Sequence, residues 1–242
     1  MKWIAALLLA FLLAGCFQSG EGAELPKNSQ KVSFSAADGT KIVANFFPAD
    51  SKKAVICVHQ FNSSKESYNA LAQFLNKNGF AVLSIDLRGH GESKGTGSLS
   101  SPFSLQDSDF QNMEWDILAG QQFLRQKGFT DFYLVGASIG ANLAIMVPTE
   151  NPGFKAAVAL SPGEEYKSLA PMNAARKTKV PALLVASKED AYSFQSVQKL
   201  YPSFDVPAKK IELNNAGHGT NMLEKDSSLQ QSVLNWLQKY SN

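Results

Sequence analysis

At 242 residues, 44% of them hydrophobic, the chain is long enough to bury one substantial core. Its 23 Lys and Arg nearly cancel its 21 Asp and Glu, leaving a net charge of +2 with no basic run, so no nucleic-acid partner is expected. Three histidines and no His-Glu-x-x-His spacing leave no metal expected, and nothing calls for a cofactor.

Lys2 precedes an apolar run from Trp3 to Ala14, too short for a stable membrane span and suited to a secretory signal. It ends at Leu13-Ala14-Gly15-Cys16, which resembles a bacterial lipobox, where the cysteine is acylated and becomes the mature N-terminus. A plain signal peptide, or a buried helix that ends in cysteine, is the simpler alternative. The small residues Ala14 and Gly15, and the Gly-, Ser- and Glu-rich stretch from Gln18 to Gln30, favour the lipoprotein. The expected organisation is a signal at 1–15, a flexible tether at 16–30 and one folded domain at 31–242. Acylation at Cys16 would hold that domain on a bacterial membrane in the cell envelope, at a periplasmic or extracellular face. Cys57, the other cysteine, sits in an apolar run and reads as a core residue.

Residues 32–35 and 41–47 flank Asp38-Gly39 and predict an antiparallel strand pair. Ala54-Val55-Ile56-Cys57-Val58 is continuously apolar, as in a parallel strand buried on both faces. A helix over 65–78 follows, with Tyr68, Leu71, Ala72 and Leu75 on one face and Gly79 at its end. Then come a buried strand at 80–85, a Gly- and Ser-rich loop over 94–112 and a helix over 113–127. Further strands are predicted at 132–137, 156–160, 181–186 and 209–213. Helices are predicted after Ser138, near 193–201 and over 228–240, and 161–179 reads as a linker. Strands alternating with helices imply a mostly parallel sheet covered on both faces.

The strand at 132–137 runs into Gly136-Ala137-Ser138-Ile139-Gly140. A serine hydroxyl becomes a nucleophile when a strained strand-to-helix turn exposes it to a base. Gly136 and Gly140 remove side chains where strand and helix cross, and the helix N-terminus lies beneath the charge that develops at a reacting carbonyl. Such a string arises by chance in roughly one chain in ten of this size, so its partners decide the matter. Parallel sheets carry their chemistry on loops at the carboxyl ends of strands. Ser138 follows one strand, Asp190 a later one and His218 the last, in the order Ser, Asp, His.

Together with Val58-His59-Gln60-Phe61, Asp86-Leu87-Arg88-Gly89-His90-Gly91-Glu92-Ser93 and Gly217-His218-Gly219, these residues make the chain resemble a single-domain α/β-hydrolase from about Val32 to Tyr240. The resemblance implies an α/β fold with a mostly parallel sheet of about eight strands and helices on both faces. The segment where relatives insert a cap is short, so no large cap domain is expected. It also implies a serine hydrolase of the carboxylesterase type, with a small-molecule ester or other acyl substrate. Ser138 would be the nucleophile, His218 the base and Asp190 its partner. Glu189 is a competing carboxylate; the family's aspartate a few residues past this strand selects Asp190. The oxyanion donors would be the Ile139 and Phe61 amides, although Gln60 stands where relatives commonly carry glycine. His59 is expected to brace its loop, and Asp86, Arg88 and His90 to be structural. Thioesterase, peptidase and non-catalytic binding roles remain open on the same fold, and the oligomeric state is undetermined.

Overall fold

The computed structural model describes residues 27–151 and 153–241; the signal at 1–15, Cys16 and the tether as far as residue 26 lie outside the described residues. Asp38-Gly39 closes a hairpin between β1 (Gln30–Ser35) and β2 (Lys41–Phe47), with Gly39 at φ 83°. β3 (Lys53–Val58) leads through a 3-10 turn at Lys65–Tyr68 into α1 (Asn69–Lys77), and β4 (Ala81–Ile85) follows. α2 (Asp107–Gln111) and α3 (Met113–Gln126) precede β5 (Asp131–Ala137), α4 (Ile139–Glu150) and β6 (Phe154–Leu160). The chain continues through α5 (Met172–Lys177), β7 (Ala182–Ser187), α6 (Ala191–Leu200), β8 (Ala208–Leu213), α7 (Asn221–Lys225) and α8 (Leu229–Lys239).

The eight strands form one sheet in the order β1-β2-β4-β3-β5-β6-β7-β8, antiparallel through β4 and parallel from there on. This is the α/β-hydrolase fold, with no large cap between β6 and β7. The chain reverses direction across the sheet at β3, so the loops after β3 and β5 lie side by side. That topological switch is where ligands of open α/β sheets bind. Register places Val58 beside Gly136 and Ala137 beside Leu160, lining up the strand ends that carry the chemistry.

The inner strands are apolar throughout because both faces are covered. Ala54, Ile56 and Val58 face α3 and α4, packing with Ile117, Leu124, Leu143 and Val147. Val55 and Cys57 point the other way, into Leu71 and Leu75 of α1 and Val233 and Leu237 of α8. Cys57 is free and fully buried, and burial pushes its thiol up, out of nucleophilic range. At about 1.5–3 kcal/mol per large apolar side chain, this two-sided burial is the main stabilising contribution.

Three short helices interrupt stretches that read as loop or linker: α2 within 94–112, α5 within 161–179 and α7 just past His218. Each spans five or six residues, too few to show a helical period.

A buried charge network fixes the loop after β4. Arg88 forms a fork on Asp116 of α3, with Nε–Oδ1 at 3.0 Å and Nη2–Oδ1 at 2.7 Å, and reaches Asp38 of the β1–β2 turn at 2.7 Å. Asp86 accepts from the backbone N–H and the ammonium of Lys65 at 2.7 and 2.9 Å and from the Glu92 N–H at 2.8 Å. A Cβ on Gly91 would lie 2.3 Å from the Asp86 carboxylate, so only glycine fits there. Arg88→Met strands Asp116 as an unpaired buried charge and should cost about 3–5 kcal/mol of unfolding free energy in urea; Arg88→Met with Asp116→Leu should recover most of it. Equal losses in the single and double variants would show that the pair does not hold this loop.

Candidate active site

The site begins at the turn between β5 and α4. Ser138 sits at φ 52°, ψ −111°, a conformation that costs a non-glycine residue about 1–3 kcal/mol and is held only by its surroundings. Its N–H donates to Leu160 O at 2.8 Å and its carbonyl accepts from Asn142 N at 3.0 Å. A Cβ on Gly136 would lie 1.9 Å from Gly140 O, and one on Gly140 would lie 2.2 Å from Val58 O. Neither position tolerates a side chain. α4 therefore crosses β5 and β3 at backbone contact and presents Ser138 at the sheet edge. As the first residue of α4, Ile139 has an N–H with no acceptor inside the helix.

Past β7, Asp190 stands immediately before α6, and its Oδ2 lies 2.6 Å from His218 Nδ1. An ionised carboxylate only accepts, so Nδ1 donates this bond, and in the neutral ring Nε2 is the nitrogen left to accept. Burial pulls the Asp190 carboxyl up, but hydrogen bonds from His218, Ser193 and Ser161 outweigh it and hold the carboxyl below its ordinary value. The neighbouring Glu189 has other partners. It accepts from Ser187 Oγ at 2.6 Å and from the N–H groups of Asn215 and Gly217 at 2.8 and 2.5 Å, and the Ser187 hydroxyl and Gly217 N–H pull it down to about 2. Glu189 thus shapes the loop that presents His218, while Asp190 meets the imidazole.

The β3 loop joins these groups through Gln60. Its Oε1 accepts from Thr220 N at 3.2 Å and Thr220 Oγ1 at 3.0 Å, two residues past His218. The side chain that replaces the usual glycine is therefore a tie between the loops of Phe61 and His218. Gly219, at φ 60°, leaves room for it: a Cβ there would lie 2.9 Å from Gln60 Oε1 and 3.5 Å from the Ala137 Cβ. Ser161 completes the junction, accepting from Gly219 N at 2.9 Å. No motif marked Ser161; the one signal available was its position directly after β6.

Beneath Phe61 lies a pair of buried histidines, ring centroids 5.0 Å apart. His59 donates from Nδ1 to Gln60 O at 2.7 Å and accepts at Nε2 from Leu87 N at 3.1 Å, bracing the loop in one tautomer. Burial, aided by repulsion from His90, pushes His59 down to about 3, and burial also lowers His90. Among the described residues no group of three or more His, Cys, Asp or Glu could hold a metal ion.

The segments 94–112 and 161–171 border this edge of the sheet and are tied together by Ser168 Oγ, which donates to Asp107 O at 2.9 Å. Asn142, one turn past Ser138 in α4, donates to Leu169 O and accepts from Gly163 N, both at 2.9 Å.

Residues 49–195, more than half of the chain, match the family model for serine aminopeptidase, S33, a hydrolase family. The chain belongs to this family. Over 100 residues this hydrolase is 31% identical to sn-1-specific diacylglycerol lipase ABHD11 of Mus musculus, a stretch that is 41% of this chain and 29% of the mouse protein. It thus spans under a third of that relative's length. Its fold is similar to esterase Pf2001 of Pyrococcus furiosus, with TM-score 0.75 and 19% identity over 88% of this chain and 91% of that one. Dienelactone hydrolase of Anabaena variabilis is similar at TM-score 0.70 and 19% identity, covering 88% and 99%.

The histidine pair sets an acid limit. Protonating His59 would turn an N–H against the Leu87 N–H, so the folded chain keeps it neutral where an unfolded histidine, with its pKa near 6.5, gains a proton. The unfolded state then binds more protons, and stability falls as pH drops from about 6.5 toward 3, by up to ~1.4 kcal/mol per pH unit for each histidine that stays neutral. Urea unfolding between pH 7 and 5 should show a steeper decline in the natural protein than in His90→Gln. Identical slopes would remove His90 from this account.

Proposed function

We propose that this hydrolase cleaves carboxylic esters through an acyl-enzyme formed on Ser138. The observations that carry the reading are the 2.6 Å contact between Asp190 and His218 and, separately, a serine at φ 52° on a strand-to-helix turn. In this mechanism His218 Nε2 takes the Ser138 proton as Oγ attacks the ester carbonyl. The N–H groups of Phe61 and Ile139 receive the oxyanion, with the α4 N-terminus adding its dipole. His218 then protonates the departing alcohol, and water, activated by the same imidazole, releases the acid. Asp190 stabilises the imidazolium in both halves. Thioesters would follow the same path.

Ser138→Ala should reduce p-nitrophenyl ester turnover by on the order of 10⁵- to 10⁶-fold and abolish fluorophosphonate labelling while the fold stays intact. Asp190→Asn should lower turnover by on the order of 10⁴-fold, and Glu189→Gln should retain most of it. Turnover surviving in Ser138→Ala would sink the nucleophile assignment. A folded natural protein that is neither labelled nor active would be a binding module. Aminopeptidase chemistry is the second reading, favoured by the family's description; an aminoacyl p-nitroanilide cleaved faster than any ester by the same preparation would establish it.

We propose separately, from the sequence of the first 16 residues, that the enzyme is held at a membrane. Residues 1–15 serve as a lipoprotein signal, and acyl chains on Cys16, each buried methylene contributing ~0.8 kcal/mol, hold the domain in the cell envelope. Cys16→Ser should move the protein from the membrane to the soluble fraction; unchanged membrane association would remove the anchor.

A further inference from the structure

The large hydrophobic side chains that stand exposed among the described residues are Phe103, Tyr166 and Tyr192, with 75%, 38% and 53% of their surface open. All three belong to the border of one site. Phe103 packs edge-on against Phe61 at 5.5 Å between centroids; Tyr166 lies 5.8 Å from Phe61, and Phe110 contacts both Phe61 and Tyr166 at 6.3 and 5.9 Å. Phe61, the hub, is the residue whose amide is assigned to the oxyanion. An apolar aromatic surface therefore begins at the reacting carbonyl and runs outward to open solvent.

This surface is built to stay in place. Tyr166 and Leu169 exchange backbone hydrogen bonds at 3.1 and 3.0 Å around a turn whose Lys167 takes φ 54°. Tyr192 Oη donates to Glu165 O at 2.6 Å and accepts from Glu165 N at 3.1 Å, clamping the segment just before Tyr166. Asn142 and Ser168 tie the same segment to α4 and to the Phe103 side. Exposed aromatics cost solvation wherever they have no partner, and three of them on one rigid border mark a binding surface.

We propose that Phe61, Phe103 and Tyr166 form the binding surface for an apolar chain of the ester, so that the substrates cleaved at Ser138 carry an alkyl or aryl group of several carbons rather than a short polar one. The inference rests on the ester reading of Ser138 and names its substrate class. An extended chain lying across edge-to-face rings gains affinity with each methylene it removes from water, and an ester short on both sides of its carbonyl gains nothing there.

The test uses the Ser138→Ala full chain, which binds esters without consuming them. Calorimetric titration with p-nitrophenyl acetate, butyrate and hexanoate reads the acyl side, and methyl, butyl and hexyl acetates read the alcohol side. Affinity should rise roughly tenfold for two added methylenes in one of the two series, identifying which side of the carbonyl meets the rings. Phe103→Ala or Tyr166→Ala in the same background should flatten that rise to about twofold or less while binding of the shortest ester of that series stays put, and Tyr166→Phe should preserve it. A flat series in both arms, an absence of measurable binding, or a rise untouched by both alanine variants would overturn the proposal. Turnover and fluorophosphonate labelling of the natural protein separate the two claims. Labelled, active protein with flat binding leaves the ester reading standing and the aromatic surface refuted. Graded binding without labelling or turnover refutes the ester reading alone.

Discussion

Everything at the functional edge of this fold depends on how closely α4 crosses the sheet. Without a Cβ at Gly136 or Gly140, carbonyl and amide groups of β3, β5 and α4 meet at van der Waals contact. That approach tips Ser138 into its left-handed conformation and brings the β3 loop with Phe61 beside the helix N-terminus. A single methyl at either glycine would push helix and strand apart and separate groups that come from quite different parts of the chain. The strain at Ser138 is held by the cores on both faces of the sheet, which fix the strands and helices whose crossing imposes it.

Around that crossing, side chains whose sequence roles looked incidental hold the loops in mutual register. Gln60 reaches the His218 loop, Ser161 meets the backbone beyond His218 and the Asp190 carboxylate, and Glu189 gathers the turn at Asn215 and Gly217. Each of them limits where a neighbouring group can go. This is preorganisation in a literal form: the groups that would stabilise developing charge are positioned before any substrate arrives.

The sequence disclosed the strands best. Val55-Ile56-Cys57-Val58 and Leu134-Val135 announce burial on both faces, and the hairpin at Asp38-Gly39 appears where its turn chemistry places it. The Gly-x-Ser-x-Gly turn and the loops at Asp190 and His218 were visible because their residue types and chain order are restrictive. What escaped had no local signature. α2, α5 and α7 are too short to display a period, and their boundaries follow from tertiary contacts. Gln60 could be singled out as a departure, but its partner lies 160 residues away, a relation that no local pattern encodes. Between Glu189 and Asp190 the residues alone offer no choice; the resemblance selected Asp190, and in the structure Asp190 meets the imidazole while Glu189 holds the turn at Asn215 and Gly217.

The bond from Ser168 to Asp107, with Asn142 gripping the same border, has a kinetic consequence. The two bordering segments are fastened to each other and one of them to α4, so neither is a hinged cover that swings open and shut. Substrates are then sorted by fit to a standing surface, without a closure step that commits the correct one. On the proposed reading, an enzyme of this kind responds to the shape of its substrate, with no closing cover to add a viscosity-dependent step.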